Sequence, residues 1–161
     1  MNANFKITAI EEDFGHLFDM TENELKKIGA KRMFVDSKPG FPCRVSLQDA
    51  KINEEVVLFP YQHHNVNTPY QSSGPIFVRK NAVRSALKIN EIPKMLEHRL
   101  LSLRIFNSKG FMIDARTVEG TDLKVEIEQI FENAISSYIQ VHNASPGCYN
   151  CQINRANKNR A

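Results

Sequence analysis

The sequence predicts an α+β fold, a single domain with a mostly antiparallel or mixed β-sheet and a few helices packed on it. Three observations carry that expectation. Short segments with period-two apolar alternation recur along the chain. Only two segments carry clear helix signals, a capped stretch after Thr21 and an amphipathic one after Thr121. Most connections between the strand-like segments are short enough for hairpins rather than crossovers.

Phe5 to Ile10 alternates Phe5, Ile7 and Ala9 against Lys6, Thr8 and Ile10, a strand with one apolar face. Asp13 to Phe18 suits a short helical turn. Thr21 with Glu24 three residues on forms a capping box, and Met20 and Leu25 can staple the same end. Gly29 supplies the left-handed stop, which bounds a helix over Glu22 to Ile28. Arg32 to Val35, Cys43 to Leu47, Val56 to Phe59 and Ile76 to Val78 read as strands, with Pro60 ending the third. Between them Tyr61 to Ser73 reads as a long polar loop holding His63 and His64. The stretch 80–99 is ambiguous apart from a short helix opening near Pro93.

Leu100 to Asn107 and Phe111 to Val118 flank Ser108-Lys109-Gly110, a three-residue hairpin loop with glycine at its left-handed position. Counting outward from Asn107 and Phe111 sets Ile105 against Ile113 and Leu103 against Ala115. It sets Arg104 against Asp114, an opposite-charge pair. Thr121 is placed to cap a helix from Asp122 to Ala134, whose apolar stripe is Leu123, Ile127, Ile130, Phe131 and Ala134. The last strand, Tyr138 to Val141, puts Ile139 and Val141 on one face and Tyr138, Gln140 and His142 on the other. Strand, helix and strand from 111 to 142 could add one parallel pair.

A chain of 161 residues with 42% hydrophobic content suits one globular domain. That domain is expected over residues 1–151, followed by a polar basic tail at 152–161. The formal charge of +3 comes from that tail. Three of the 21 basic residues, Arg155, Lys158 and Arg160, lie there without an acid, which leaves 18 basic against 18 acidic residues elsewhere. A balanced domain lacks the basic face that nucleic-acid binders present, and a fraying soluble end accounts for the tail. No stretch approaches the ~20 apolar residues that span a bilayer. No signal peptide is visible at the start, so a cytoplasmic location is expected. Three cysteines, Cys43, Cys148 and Cys151, make a poor disulfide framework.

The cysteines are the first candidates for chemistry. Cys148-Tyr149-Asn150-Cys151 has the spacing of a metal knuckle or a small redox pair. Too little chain follows it for a thioredoxin-like helix. With Cys43 and His142 it would make three thiolates and an imidazole, a set suited to tetrahedral zinc, and His63 or His64 could replace His142. The plainer account is small thiols packed beneath a turn. Arg44 could favour a Cys43 thiolate, although neighbours on a regular strand face opposite ways. His63 and His64, with Tyr70 nearby, sit in a segment of the kind that often binds ligands, yet solvated loop histidines are common. The Arg104–Asp114 pair could hold a planar or anionic ligand through the guanidinium, or be an ordinary surface ion pair. No phosphate-binding glycine loop, nucleophile elbow or zinc-protease helix is present.

Pro39-Gly40-Phe41-Pro42-Cys43-Arg44-Val45-Ser46-Leu47, Ser73-Gly74-Pro75-Ile76-Phe77-Val78-Arg79, and Val141-His142-Asn143-Ala144 followed by Pro146-Gly147-Cys148 together resemble a bacterial family. It is known only as domain of unknown function 1203. The resemblance runs from about Phe5 to Arg155. It implies a small single-domain protein and no particular activity, substrate or cofactor.

Two functions remain open at this level. One is a single ligand- or metal-binding site near Cys43, His142, Cys148 and Cys151. Were it an enzyme, Cys43 or Cys148 would be its thiolate and His142 its base or ligand, with Arg44, His63, His64, Tyr70, Arg104, Asp114 and Asn143 as ligand-binding candidates. The other is a noncatalytic interaction domain in which the cysteines only pack and the Tyr61–Ser73 loop meets a protein partner.

Overall fold

The hairpin around Gly110 forms at the edge of a five-stranded antiparallel sheet. A computed structural model describes residues 2–157. The strands are β1 (Phe5–Thr8), β2 (Lys31–Phe34), β3 (Glu55–His64), β4 (Ser72–Arg79), β5 (Leu100–Phe106), β6 (Met112–Glu119), β7 (Tyr138–Asn143) and β8 (Tyr149–Arg155). The larger sheet runs β1-β8-β7-β5-β6 and the smaller β2-β3-β4. The named helices are short: α1 (Glu22–Lys27), α2 (Lys94–Glu97) and α3 (Leu123–Ile130). The architecture is therefore mostly β. Among the described residues every ladder is antiparallel, so the parallel pair expected from 111 to 142 does not form. β6 and β7 are both neighbours of β5 and never pair with each other.

α1 follows its sequence signals. Thr21 accepts from the Glu24 N–H and Glu24 returns to the Thr21 N–H at 2.8 Å. α3 is shorter than its stripe suggests. A 3₁₀ turn, Gly120–Asp122, leads into it, and Thr121 is not its cap. Gly120 fixes that entry, because a Cβ there would stand 1.8 Å from the Leu96 carbonyl oxygen. Leu123, Ile127, Ile130 and Phe131 then pack on Leu101, Leu103, Ile105, Ile139, Val141 and Ile153 in the main core. Each such side chain contributes about 1.5–3 kcal/mol on burial. A second core, including Phe14, Leu25, Val57, Phe59 and Ile76, lies on the smaller sheet and also takes in Tyr149 of β8.

Three expectations about strands fail for physical reasons. Cys43 to Leu47 forms turns with two isolated bridges, Pro42 to Asp49 and Cys43 to Phe77, and Leu47 has φ 51°. Its apolar side chains are buried by surrounding elements rather than by a ladder of their own. Pro60 does not end β3. It stands opposite Pro75, a pair that works where neither N–H is needed in the ladder. β2 stops opposite Leu58 and β4 is an edge strand. The polar tail begins with ordered strand: Gln152 to Arg155 belong to β8 and pair with β1. The other basic residues of that tail, Lys158 and Arg160, lie outside the described residues.

Candidate functional site

β5 and β7 are buried on their core face and polar on the other. On that second face the register sets Ser102 beside His142, Arg104 beside Gln140, and Phe106 beside Tyr138. Period-two alternation dictates this, since Leu101, Leu103, Ile105, Ile139 and Val141 take the core face. The C-terminal end of β3 lies across the polar face and closes it.

Two bulges aim the side chains there. Between Tyr61 and His64 the β3–β4 ladder gains one residue on β3. The shift lets the adjacent His63 and His64 both reach β7, which regular pleating would prevent. Between Val141 and His142 the β7–β8 ladder gains one residue on β8. Tyr149 thereby joins His142 on the polar face, while Cys151 stays opposite Val141 in the main core.

His63 makes a reciprocal pair with Gln140. Its Nδ1 is 2.8 Å from Gln140 Oε1, and Gln140 Nε2 donates to the His63 carbonyl at 2.7 Å. The His63 ring stacks on Tyr149 with centroids 4.9 Å apart and meets His142 edge-on at 4.9 Å. His64 is enclosed between the Tyr70 carbonyl, 2.7 Å from Nδ1, and the Tyr138 hydroxyl, 2.6 Å from Nε2. Its ring packs against Phe106. His142 is 1% exposed, and its Nδ1 donates to the Gly147 carbonyl at 3.0 Å. Its Nε2 is buried with no partner among the described residues. Burial pushes its pKa down to about 3, with a smaller push from Arg104. Burial also lowers the pKa of His63.

Beside these rings is a small cavity of about 180 Å³, lined by His63, His64, Tyr70, Arg104, Phe106 and Gln140 among others. Arg104 is half-buried, and burial lowers its pKa. Among the described residues it has no ion-pair partner and no side-chain hydrogen bond. The partner foreseen for it, Asp114, lies elsewhere. The hairpin closes as expected, with the Asn107 N–H on the Phe111 carbonyl. A bulge at Ile113 then shifts the ladder by one, so Arg104 faces Ala115 and Ile105 faces Asp114. Asp114 binds Arg116 at 3.3 Å on the outer surface instead.

The structure thus brings four of the foreseen ligand-binding residues to one cavity: His63, His64, Tyr70 and Arg104. It leaves three outside. Asp114 is exposed. Asn143 accepts from Asn150 Nδ2 at 2.7 Å beside the 144–148 turn. Arg44 is buried, with Nε on the Tyr149 carbonyl at 2.7 Å and Nη1 on the Pro42 carbonyl. Among the described residues Arg44 has no carboxylate partner, and burial lowers its pKa to about 10. Gln140, Tyr138 and Tyr149 are polar residues of the site that the sequence does not single out, as are the wall residues Pro69, Phe106 and Met112. The alternation Tyr138, Gln140, His142 was the available signal for the first two.

The four-ligand set Cys43, His142, Cys148 and Cys151 is not assembled. Among the described residues no group of three or more His, Cys, Asp or Glu side chains is placed to hold a metal ion. All three cysteines are free. Cys43 Sγ accepts the N–H groups of Ser46 and Arg79, each at 3.4 Å, in the second core. Cys151 lies in the main core, where burial raises its pKa to about 12. Cys148 is half-buried in the 144–148 turn. The β8 bulge turns Tyr149 and Cys151 to opposite faces.

The 65–71 connection between β3 and β4 is also engaged internally. Thr68 Oγ1 donates to the Gly110 carbonyl at 3.0 Å, and a Cβ on Gly110 (φ 83°) would stand 3.0 Å from Val66. Among the described residues no helix is long and apolar enough to cross a membrane.

Fold and cavity together define a mostly-β protein with a histidine- and arginine-lined cleft between two antiparallel sheets. The chain belongs to the family described as Protein of unknown function (DUF1203), which it matches over residues 40–155. No curated protein and no solved structure matches it.

Proposed function

We propose that this is a small-molecule-binding protein whose ligand is a small anion held in the cleft between β3 and the β5–β7 face. The observation that carries the reading is Arg104, a half-buried guanidinium facing the cavity without an acid to neutralise it. A desolvated guanidinium favours a bound anion, and its fork suits a carboxylate or phosphate. Among the described residues no carboxylate lines this cavity, and none pairs with the second cation nearby, buried Arg44. Apolar atoms of Phe106, Met112 and Pro69 complete the wall, the mixture expected of a ligand pocket. The volume suits a molecule of a few carbon atoms.

A binding role fits these residues better than thiol catalysis. His142, the foreseen base, is enclosed and remains neutral far below pH 7; of the two foreseen thiolates, Cys43 is fully covered and Cys148 lies in the 144–148 turn, outside the residues that line the cavity. The reading is tested by titrating the protein with acetate, propionate, lactate and phosphate while following backbone amide signals by NMR. Saturable shifts confined to the cavity-lining segments, the end of β3, residues 69–72, β5, β7 and the start of β6, are expected for at least one of them. Shifts spread over the protein surface, or none, would overturn it.

A further inference from the structure

We infer that the ligand of this cleft is a small hydroxycarboxylate, its carboxylate on Arg104 and its hydroxyl donating to Nε2 of His63. The inference rests on the anion-binding reading and adds the second half of the ligand.

The hydrogen bonds fix which nitrogen of each ring carries the proton. The His63 carbonyl can only accept, so the Gln140 atom 2.7 Å from it is the amide nitrogen. The other amide atom of Gln140 is therefore the oxygen, and His63 Nδ1, 2.8 Å away, must donate to it. In the neutral ring the remaining nitrogen, Nε2, is then a bare lone pair. No partner for it is present among the described residues. His142 repeats the arrangement. Its Nδ1 donates to the Gly147 carbonyl, and its Nε2 is an enclosed acceptor without a donor. His64 does so too, but there the Tyr138 hydroxyl meets Nε2.

The cluster therefore offers acceptors where a row of histidines first suggests cations. Two complements could meet such lone pairs, a metal ion or a hydrogen-bond donor. A metal ion is disfavoured because no third ligand is placed for it and because both nearby fixed charges, Arg104 and Arg44, are positive. A donor on an anionic molecule satisfies both halves of the site. The apolar wall of Phe106 and Met112 favours a carbon skeleton over an inorganic ion.

Lactate and propionate are the probes, since they share charge and near-identical size and differ in one hydroxyl. Sites built to hydrogen-bond a hydroxyl discriminate strongly against the analogue that lacks it. Lactate is expected to bind at least about tenfold more tightly than propionate. The His63→Phe protein should keep the stack on Tyr149 and bind the two acids alike. The ¹⁵N signal of His63 Nε2 in the wild-type protein should move on adding lactate and stay put with propionate, a readout that does not depend on the variant folding. Equal affinity for both acids in the wild-type protein would overturn this inference and leave the anion-binding reading standing. Failure of both to bind in the cleft would remove the reading and the inference with it.

Discussion

His63 on β3 and Gln140 on β7 hold the two sheets together by a reciprocal pair, imidazole Nδ1–H to amide oxygen at 2.8 Å and amide N–H to backbone carbonyl at 2.7 Å. Gln140 is 1% exposed, so neither bond is exchanged readily for water. Gln140→Leu would leave the His63 carbonyl and Nδ1–H without partners. A loss of about 2–4 kcal/mol in urea unfolding is expected, in the lower part of the range for two unpaired groups at about 1–3 kcal/mol each, because both bonds are only part-buried. Gln140→Glu preserves the acceptor for His63 Nδ1, gives up the bond to the His63 carbonyl, and places a carboxylate directly beside Arg104. That protein should fold and lose anion affinity. Unchanged affinity in a folded Gln140→Glu protein would contradict the role given to the Arg104 charge.

Stability should fall in mild acid because of His142. Its folded-state pKa of about 3 lies below the ordinary 6.5. The unfolded chain therefore takes up a proton between those values and the folded one does not. Its contribution is complete above about pH 6.5 and declines as pH falls towards 3, by up to ~1.4 kcal/mol per pH unit. The groups facing the ring are His63 from β3, Arg104 from β5, Tyr149 from β8 and buried Arg44. All but the tyrosine are cationic or can become so, and none would welcome the added proton. Urea midpoints measured from pH 8 to pH 4.5 should drop in the wild-type protein and drop less in His142→Phe. Parallel curves would assign the acid sensitivity elsewhere.

The expectations that held rest on local chemistry. The Thr21–Glu24 box and the Asn107–Phe111 closure depend on residues three or four apart, and both formed. The alternation Tyr138, Gln140, His142 placed the polar face of β7 correctly. What was not legible came from single-residue bulges. The one at Ile113 removed Asp114 from Arg104, the one on β3 gathered His63 and His64, and the one on β8 separated Tyr149 from Cys151. A one-residue slip exchanges faces along a whole strand, and the packing that selects it comes from distant parts of the chain. β8 was hidden by its polar residues. Cys151 and Ile153 alternate with Gln152 and Asn154, a strand pattern that its basic end made resemble a tail.

Cysteine reactivity should follow burial. Cys148 is half-buried, whereas Cys43 and Cys151 are covered in separate cores. A thiol reagent should modify one cysteine in the native protein, identified as Cys148 by peptide mass, and the other two only on unfolding. Added zinc and added chelator should both leave the Tm unchanged. Stoichiometric zinc together with a chelator-lowered Tm would restore the Cys43, His142, Cys148, Cys151 centre that the side-chain positions argue against.

The claim on which the functional account turns is that Arg104 is the cleft's anion anchor. Calorimetric titration of wild-type, Arg104→Gln and Arg116→Gln proteins with the tightest-binding small anion tests it directly. Arg116 is the control, since it lies on the neighbouring strand and is already paired with Asp114 and Glu126. Removing a charge-assisted hydrogen bond to a bound anion costs about 1.5–3 kcal/mol. Arg104→Gln should therefore bind at least about tenfold more weakly, while Arg116→Gln binds as the wild-type protein does. Equal affinity in all three proteins would contradict the account.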